Sequence, residues 1–254
     1  MEEINSADPF SLTGKRILVT GASSGIGRQI AISCAEMGAQ LVITGRDASR
    51  LSATFSMLKG QGHQKIQADL NHSADIEQLV STINVLNGLV HAAGTSKLVP
   101  FHLANQAHVE STFRDNTFAP MFLTRHLLSR KKIAPAASIV FIAAVASYAG
   151  PAASSAYSAS KSALLGAARS MAKDLAKQSI RVNCVAPGYV QTPMLEKLDS
   201  AGANQNTRAQ WTPLGIGETE DIANATTFYL SDASQAINQS YFTIDGGISI
   251  GMTL

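Results

Sequence analysis

Tyr157 and Lys161 stand four residues apart in the segment YSASK. On a helix that spacing puts both side chains on one face, so a phenol and an ammonium can act on the same group. An unperturbed tyrosine has a pKa near about 10, too high for efficient proton exchange at neutral pH. A neighbouring cation favours the phenolate and lowers that value, which suits the pair to general acid or base work. Taken alone, the same two residues would read as amphipathic side chains lying along a surface with their polar tips in water.

A second chemical signal lies near the start. The run TGASSGIG places Gly21, Gly25 and Gly27, with Ser23, Ser24 and Ile26 between them, directly after the apolar stretch Arg16 to Thr20. Glycine at those places lets the backbone turn tightly, approach a pyrophosphate without a Cβ in the way and pack a helix close to a strand. The helix start that follows presents unpaired N–H groups to an anion. The plainer reading is a structural turn, but its position between a strand pattern and a helix pattern points to a dinucleotide. At the end of the next strand the chain reads Thr44-Gly45-Arg46-Asp47. An acid at that strand end would bond a ribose 2′-hydroxyl and favour NAD. Gly45 removes it, and Arg46 offers a fork of donors suited to a phosphate, so NADP(H) is the expected cofactor, with Ser24 as a further phosphate contact. The competing reading leaves Arg46 in solvent and makes Asp47 the acid, one position late.

These residues need a scaffold. Short β-branched runs alternate with amphipathic segments along the whole chain, which predicts an α/β fold of the Rossmann type, a doubly wound, seven-stranded parallel sheet with helices on both faces. The expected strands are Arg16 to Thr20, Gln40 to Thr44, Lys65 to Ala68, Gly88 to His91, Ser138 to Ala143, Arg181 to Val185 and Tyr241 to Ile244. Ile26, Ile30, Cys34 and Met37 mark the buried stripe of the first helix; Asp47 is a candidate N-cap for a helix ending near Gly60. A long helix from about Ser155 to Gln178 carries Tyr157 and Lys161 in its first two turns and buries Leu164, Ala168, Met171 and Leu175. Residues 192–212, the least patterned stretch, form a candidate substrate lid. No repeat and no linker divides the chain, so residues 1–254 are expected to form one domain.

Composition excludes several classes. With 45% hydrophobic and 15% charged residues, the chain can support a packed core. A formal net charge of +2, with its one dense basic cluster at Arg130, Lys131 and Lys132, does not suggest a nucleic-acid partner. The acidic, polar start MEEINSADPF lacks the form of a secretory signal, which points to a cytoplasmic protein. The uncharged stretch from Ile133 to Ser160 is interrupted by Pro135, Gly150 and Pro151, so no membrane span is expected. Cys34 and Cys184 sit in apolar patterns and read as core residues. The histidines show no ligand-like spacing, and no metal is expected.

Taken in order, the glycine run, Asp69 in QADL, His91 to Gly94 in HAAG, Asn116, YSASK and Pro187-Gly188 leading to Thr192 resemble the classical short-chain dehydrogenase/reductase family over nearly the whole chain. The resemblance implies an oxidoreductase with a single NADP-binding domain. By the same resemblance Asp69 and Leu70 contact adenine, Ala92, Ala93 and Gly94 line the cofactor, and Pro187, Gly188, Val190 and Thr192 meet the nicotinamide end. It also makes Tyr157 the acid/base and gives Lys161 the nicotinamide ribose, with Asn116 supporting a proton path. Asp69 as a helix cap and Pro187-Gly188 as an ordinary turn are the structural alternatives. A homotetramer, or a homodimer, is implied as well, and the carboxy-terminal run ISIGMTL would fit either a subunit contact or a tail packed on its own domain.

Two departures matter. Ala144 occupies the position, thirteen residues before the tyrosine, where the family places a serine that polarises the substrate carbonyl. Losing such a donor typically lowers the rate by roughly 100- to 1,000-fold. Either the chain is inactive, or Ser147, Tyr148 or Ser154 supplies the donor, or the substrate brings its own polar group. The second departure is HAAG where two asparagines are usual, which leaves His91 and Ala92 to serve through their backbones. The expectation is an NADPH-dependent reductase of a small-molecule or thioester carbonyl, similar to 3-oxoacyl-carrier-protein reductases. The rival is a non-catalytic NADP-binding sensor or assembly subunit.

Overall fold

The computed structural model describes residues 8–200 and 211–251. Seven parallel strands form one sheet: β1 Arg16–Thr20, β2 Gln40–Gly45, β3 Gln64–Gln67, β4 Leu86–His91, β5 Ile133–Ile142, β6 Arg181–Pro187 and β7 Tyr241–Ile244. Their spatial order is β3-β2-β1-β4-β5-β6-β7. The order reverses between β1 and β4, and doubly wound sheets bind ligands in the crevice that this reversal opens at the carboxyl ends of the strands.

Helices cover both faces because alternate strand residues point opposite ways. Leu18, Leu89 and Phe141 pack to one side, against α3 (Ser73–Thr82), α5 (Ala119–Ser129) and α7 (Ser155–Asp174). Ile17, Val19, Val90 and Val140 pack to the other, against α1 (Gly25–Glu36), α2 (Ala48–Phe55) and the late helix Thr219–Leu230. The inner strands are therefore covered on both faces and read as nearly unbroken apolar runs, whereas the edge strands β3 and β7 stay partly exposed. The remaining α-helices among the described residues are α4 (Gln106–Phe113), the single turn α6 (Ala146–Ala149), α8 (Pro193–Ser200) and a last turn, Ile248–Gly251.

All seven expected strands are present, β1 and β7 with the expected bounds and the other five with shifted ends. β5 starts at Ile133, not Ser138, because its first residues pair with Leu86 across a register shift, with Ala136 in the left-handed region at φ 60°. The helix after Asp47 stops at Phe55, short of Gly60, and turns at Thr54 and Phe55 lead away from it. Asp47 does cap that helix: its carboxylate accepts from the Arg50 N–H. In α7 the α-helical part ends at Asp174 before one tighter turn, and Ala172 replaces the half-buried Met171 in the buried stripe. Cys34 and Cys184 are free and buried. Among the described residues no helix is long and apolar enough to cross a membrane.

Candidate active site

The glycine turn between β1 and α1 is packed to the limit. Gly21 has φ +68°, and a Cβ there would stand 2.6 Å from the Ala93 nitrogen. A Cβ on Gly27 would strike the Gly21 carbonyl, so the helix can approach the strand this closely only without one. Arg28 holds the turn from behind, donating to the Ser23 carbonyl at 2.7 Å and to the Thr54 hydroxyl at 3.0 Å. Ser24 stands at the N-cap of α1 without capping it through its side chain, which leaves first-turn N–H groups for a ligand.

Beside this turn, the Ser23 hydroxyl is buried with no hydrogen-bond partner among the described residues. It fills the space where a side chain at position 45 would go, because a Cβ on Gly45 would overlap its oxygen. Arg46 is exposed and forms no ion pair with a described residue, whereas both Asp47 oxygens are taken by Arg50, through its N–H at 2.9 Å and its Nε at 2.9 Å. Those bonds, the backbone one first, hold the Asp47 carboxyl below its ordinary pKa.

The next strand ends supply a small polar network that the sequence reading missed. Asp69 accepts from the Asn71 N–H, Asn71 donates to Asp115 at 2.6 Å, and Thr95 donates to the other Asp115 oxygen at 3.1 Å. Asp69 does not cap α3; His72 holds that position.

Asn116 lies in the wide turn Arg114–Phe118, a π-helical step between α4 and α5, a distortion often found at functional sites. It is buried behind the cavity wall, not in it. Its amide clamps the backbone after β4, accepting from Thr95 N–H at 2.8 Å and donating to Thr95 C=O at 3.0 Å; it also donates to the Ser160 hydroxyl at 3.0 Å. Ser160 in turn donates to the Tyr157 carbonyl at 2.7 Å, so Asn116 is tied to the helix that carries Tyr157 and Lys161.

Lys161 is buried and donates to the Ile142 carbonyl at 2.7 Å. Burial lowers its pKa to about 8, with the Cys184 thiol pulling slightly the other way. Burial pushes Tyr157 up to about 12, and the Tyr241 phenol adds to the rise. The lowering expected from the Lys161 ammonium is thus outweighed, because desolvation of the phenolate dominates. The Tyr157 hydroxyl stays protonated at neutral pH, and no described residue hydrogen-bonds it.

Ala144 is buried two residues beyond the end of β5 and lines the same cavity as Tyr157. The three candidate replacement hydroxyls are all otherwise placed. Ser147 donates to the Ala144 carbonyl at 2.7 Å and meets Tyr241 at 2.9 Å. Tyr148 is exposed and packs edge-on against Tyr241. Ser154 lines the cavity, but its hydroxyl donates to the Pro151 carbonyl and pairs with Ser158 at 2.9 Å.

Pro187 ends β6, and a Cβ on Gly188 would stand 2.7 Å from the Asp245 Cα. Thr192 accepts from the Leu195 N–H at 3.2 Å and so caps α8. Within the candidate lid, Met194, Leu195, Leu198 and Trp211 face the same cavity, while residues 201–210 lie outside the described residues. That cavity, about 920 Å³, is lined by Gly21 through Gly27 except Ala22, by Arg46, Asp69, Leu70, Ala92 to Gly94, Ala144, Tyr157 and Lys161, and by Pro187, Gly188, Val190 and Thr192. Of the site residues singled out from the sequence, Asn116, His91, Ser147 and Tyr148 lie outside its lining.

A family model described as Enoyl-(Acyl carrier protein) reductase matches residues 21–249, which span the glycine turn, the Tyr157 helix and the last strand. The chain belongs to the classical short-chain dehydrogenase/reductase family. Short-chain dehydrogenase/reductases are oxidoreductases that use a nicotinamide cofactor. Relatives include a 3-oxoacyl-[acyl-carrier-protein] reductase of Chlamydia pneumoniae, 29% identical over 94% of this chain and 99% of the relative. A 5-keto-D-gluconate 5-reductase of Escherichia coli is 30% identical, covering 96% and 99%. Among solved structures of the family, an Agrobacterium tumefaciens protein crystallised with bound NADP superposes with a TM-score of 0.86 at 27% identity, over 96% of this chain and 99% of that one.

Proposed function

We propose that this chain is an NADP(H)-dependent carbonyl reductase, moving hydride between the nicotinamide and a carbonyl or secondary alcohol, with a 3-oxoacyl thioester among its candidate substrates. The observation that carries the reading is that the glycine turn, Arg46, Tyr157 and Lys161 line one cavity at the switch point of the sheet. NADP over NAD is supported by three features of the β2 end: Arg46 without an acidic partner among the described residues, Asp47 engaged by Arg50, and Ser23 occupying the space of an acid at position 45. The unpartnered Ser23 hydroxyl and the tight approach at Gly21 fit a phosphate-bearing dinucleotide. The Agrobacterium relative with bound NADP agrees.

Gly21, Ser23, Ser24, Gly25, Ile26 and Gly27 would hold the pyrophosphate side, Arg46 the 2′-phosphate, Asp69 and Leu70 the adenine, and Ala92 to Gly94 the middle of the molecule. Pro187, Gly188, Val190 and Thr192 would hold the nicotinamide end. When bound, the reduced nicotinamide supplies hydride to the carbonyl carbon and is left oxidised. Tyr157 donates its proton to the carbonyl oxygen, giving the alcohol and a phenolate that is reprotonated from solvent. Lys161, as an ammonium one helical turn on, favours that phenolate. Asn116 positions both by tying the Thr95 backbone to Ser160. Exposed Phe118, just before α5, and Met121 and Phe122 on it are consistent with assembly into a homotetramer or homodimer, and a cytoplasmic setting is the matching compartment.

Titrating NADPH and NADH by fluorescence and following NADPH oxidation with an acetoacetyl thioester tests the proposal. Tyr157→Phe should keep NADPH affinity and lose roughly 100- to 10,000-fold in turnover; retained turnover overturns the acid/base assignment. Ala144 favours one second reading, a non-catalytic NADP-binding sensor or assembly subunit, and tight NADPH binding with no turnover even after Ala144→Ser would establish it.

A further inference from the structure

β3 and β4 are not neighbours in the sheet. β2 and β1 stand between them, which makes three strand steps, or about 14 Å at ordinary spacing. The loops that follow these two strands nevertheless meet at Asp115, whose two oxygens accept from the Asn71 amide at 2.6 Å and from the Thr95 hydroxyl at 3.1 Å. Both bonds run from side chain to side chain, and Asp115 sits in the wide turn Arg114–Phe118 immediately before Asn116. Asn71, Thr95 and Asp115 all line the cavity.

The bonds continue in both directions. On the β3 side the Asn71 N–H donates at 3.0 Å to Asp69, the residue assigned above to adenine. On the β4 side the Asn116 amide holds Thr95 again, through its N–H and its C=O, and also donates to Ser160, which donates to the Tyr157 carbonyl. A Cβ on Gly94 would stand 2.9 Å from the Asn116 amide oxygen and 3.4 Å from the Lys161 Nζ, so that amide and the ammonium pack on the same glycine. Asp115 thus stands where the half of the site that would hold adenosine meets the half that would react. A misplacement of about 1 Å that begins far from the chemistry can cost about 100-fold in rate.

Resting on the reduction reading above, we infer that Asp115 is a positioning residue for hydride transfer. It is the joint through which the Asp69–Asn71 loop, once loaded with the adenosine half of the cofactor, fixes the Thr95 backbone, Asn116 and the start of α7. Binding energy gained far from the nicotinamide is thereby used to set the reacting groups.

The test uses the full chain with NADPH and three carbonyl probes: acetoacetyl-coenzyme A, ethyl benzoylformate and 5-keto-D-gluconate. Asp115→Ala is expected to lower kcat by about 10- to 100-fold while KM for NADPH moves less than about three-fold, the pattern of an interaction missing from the transition state and not from uniform binding. Asp115→Asn should stay within about three-fold of the parent, since an amide can still accept from Asn71 and donate to the Thr95 hydroxyl. Asn71→Ala should lower kcat by a similar factor, and the double variant should fall no more than about three-fold below the worse single one, because both changes break one joint. Losses that multiply in the double variant, parental kcat in Asn71→Ala, or an Asp115→Asn protein as slow as Asp115→Ala each overturn the inference. A raised KM for NADPH with unchanged kcat makes Asp115 a cofactor contact, and a lowered melting temperature with unchanged kcat makes it a structural brace; either result overturns it too. Thr95→Val, nearly isosteric, breaks the joint from its other side and carries the comparison if Asp115→Ala fails to fold, with parental kcat there as the overturning result. In all these outcomes the parent turns over and the reductase reading stands. A parent that binds NADPH and reduces none of the three probes removes that reading and this inference together.

Discussion

The Tyr241 hydroxyl donates a 3.0 Å hydrogen bond to the carbonyl oxygen of Ala144, so the last strand of the sheet pins the backbone where the family pattern has a serine. Ser147 donates to the same oxygen at 2.7 Å. With its backbone held twice, position 144 is built to present a side chain to the cavity in one direction. Ala144→Ser is therefore expected to raise kcat/KM for an unactivated ketone by roughly 100-fold with little change in NADPH affinity. Tyr241→Phe should remove most of that gain from the double variant. Steady-state kinetics of the three proteins checks both statements, and an Ala144→Ser variant no faster than its parent would show that the missing hydroxyl is not what limits turnover.

The Lys161 pKa, brought down to about 8 by burial, is expected to set the pH response of the proposed reaction. Below about 8 the side chain is an ammonium and supports the Tyr157 phenolate; above it the charge is lost as the proton leaves. The reductive kcat/KM should be level from about pH 6.5 to 7.5 and fall about ten-fold per unit well above pH 8. In Lys161→Met the rate should be low throughout and the bend absent. A profile flat to pH 10 in the parent protein would contradict the assignment.

Arg46 stands where a 2′-phosphate is expected and has no acidic partner among the described residues to give up. Arg46→Ala is expected to weaken NADPH binding by about 10- to 100-fold, the worth of a charge-assisted contact, while NADH binding changes little. Fluorescence titration with both cofactors decides the matter; an equal loss for the two would assign Arg46 a structural role.

His91 makes the protein sensitive to acid. Its ring stacks on Phe141 at 4.8 Å and its Nε2 lies 2.8 Å from the Thr124 hydroxyl. That hydroxyl already donates to the Pro120 carbonyl, so Nε2 carries the proton and Nδ1 is a bare acceptor with no partner among the described residues. Burial first, and then Lys161, lower the His91 pKa to about 3. The folded state thus refuses a proton that the unfolded chain takes up near about pH 6.5, so stability falls as pH drops through the window from about 6.5 to 3. The slope approaches about 1.4 kcal/mol per pH unit inside that window. Urea unfolding at several pH values should show the slope in the parent protein and a shallower one in His91→Asn; equal slopes would place the acid sensitivity elsewhere.

What could be read locally was read from the chain itself. The strand runs, the glycine turn with its following helix, the Asp47 cap and the Tyr157–Lys161 pair depend on residues within a few positions of one another, because steric limits on the backbone and the 3.6-residue period act at that range. The site's supporting bonds do not. Tyr241 reaches Ala144 across 97 residues, and Asn71 reaches Asp115 across 44. The Ser23 hydroxyl excludes a side chain at Gly45 only because β1 and β2 pair in register. The direction of the Tyr157 shift was likewise a tertiary matter. A helical spacing says which charges are near, but the desolvation that outweighs them comes from elements folded over the site from every part of the sheet. Sequence therefore determined the strands, the glycine turn and the Tyr157–Lys161 pairing, while packing alone decided which hydroxyls are occupied, which oxygens are pinned and where charge can be held.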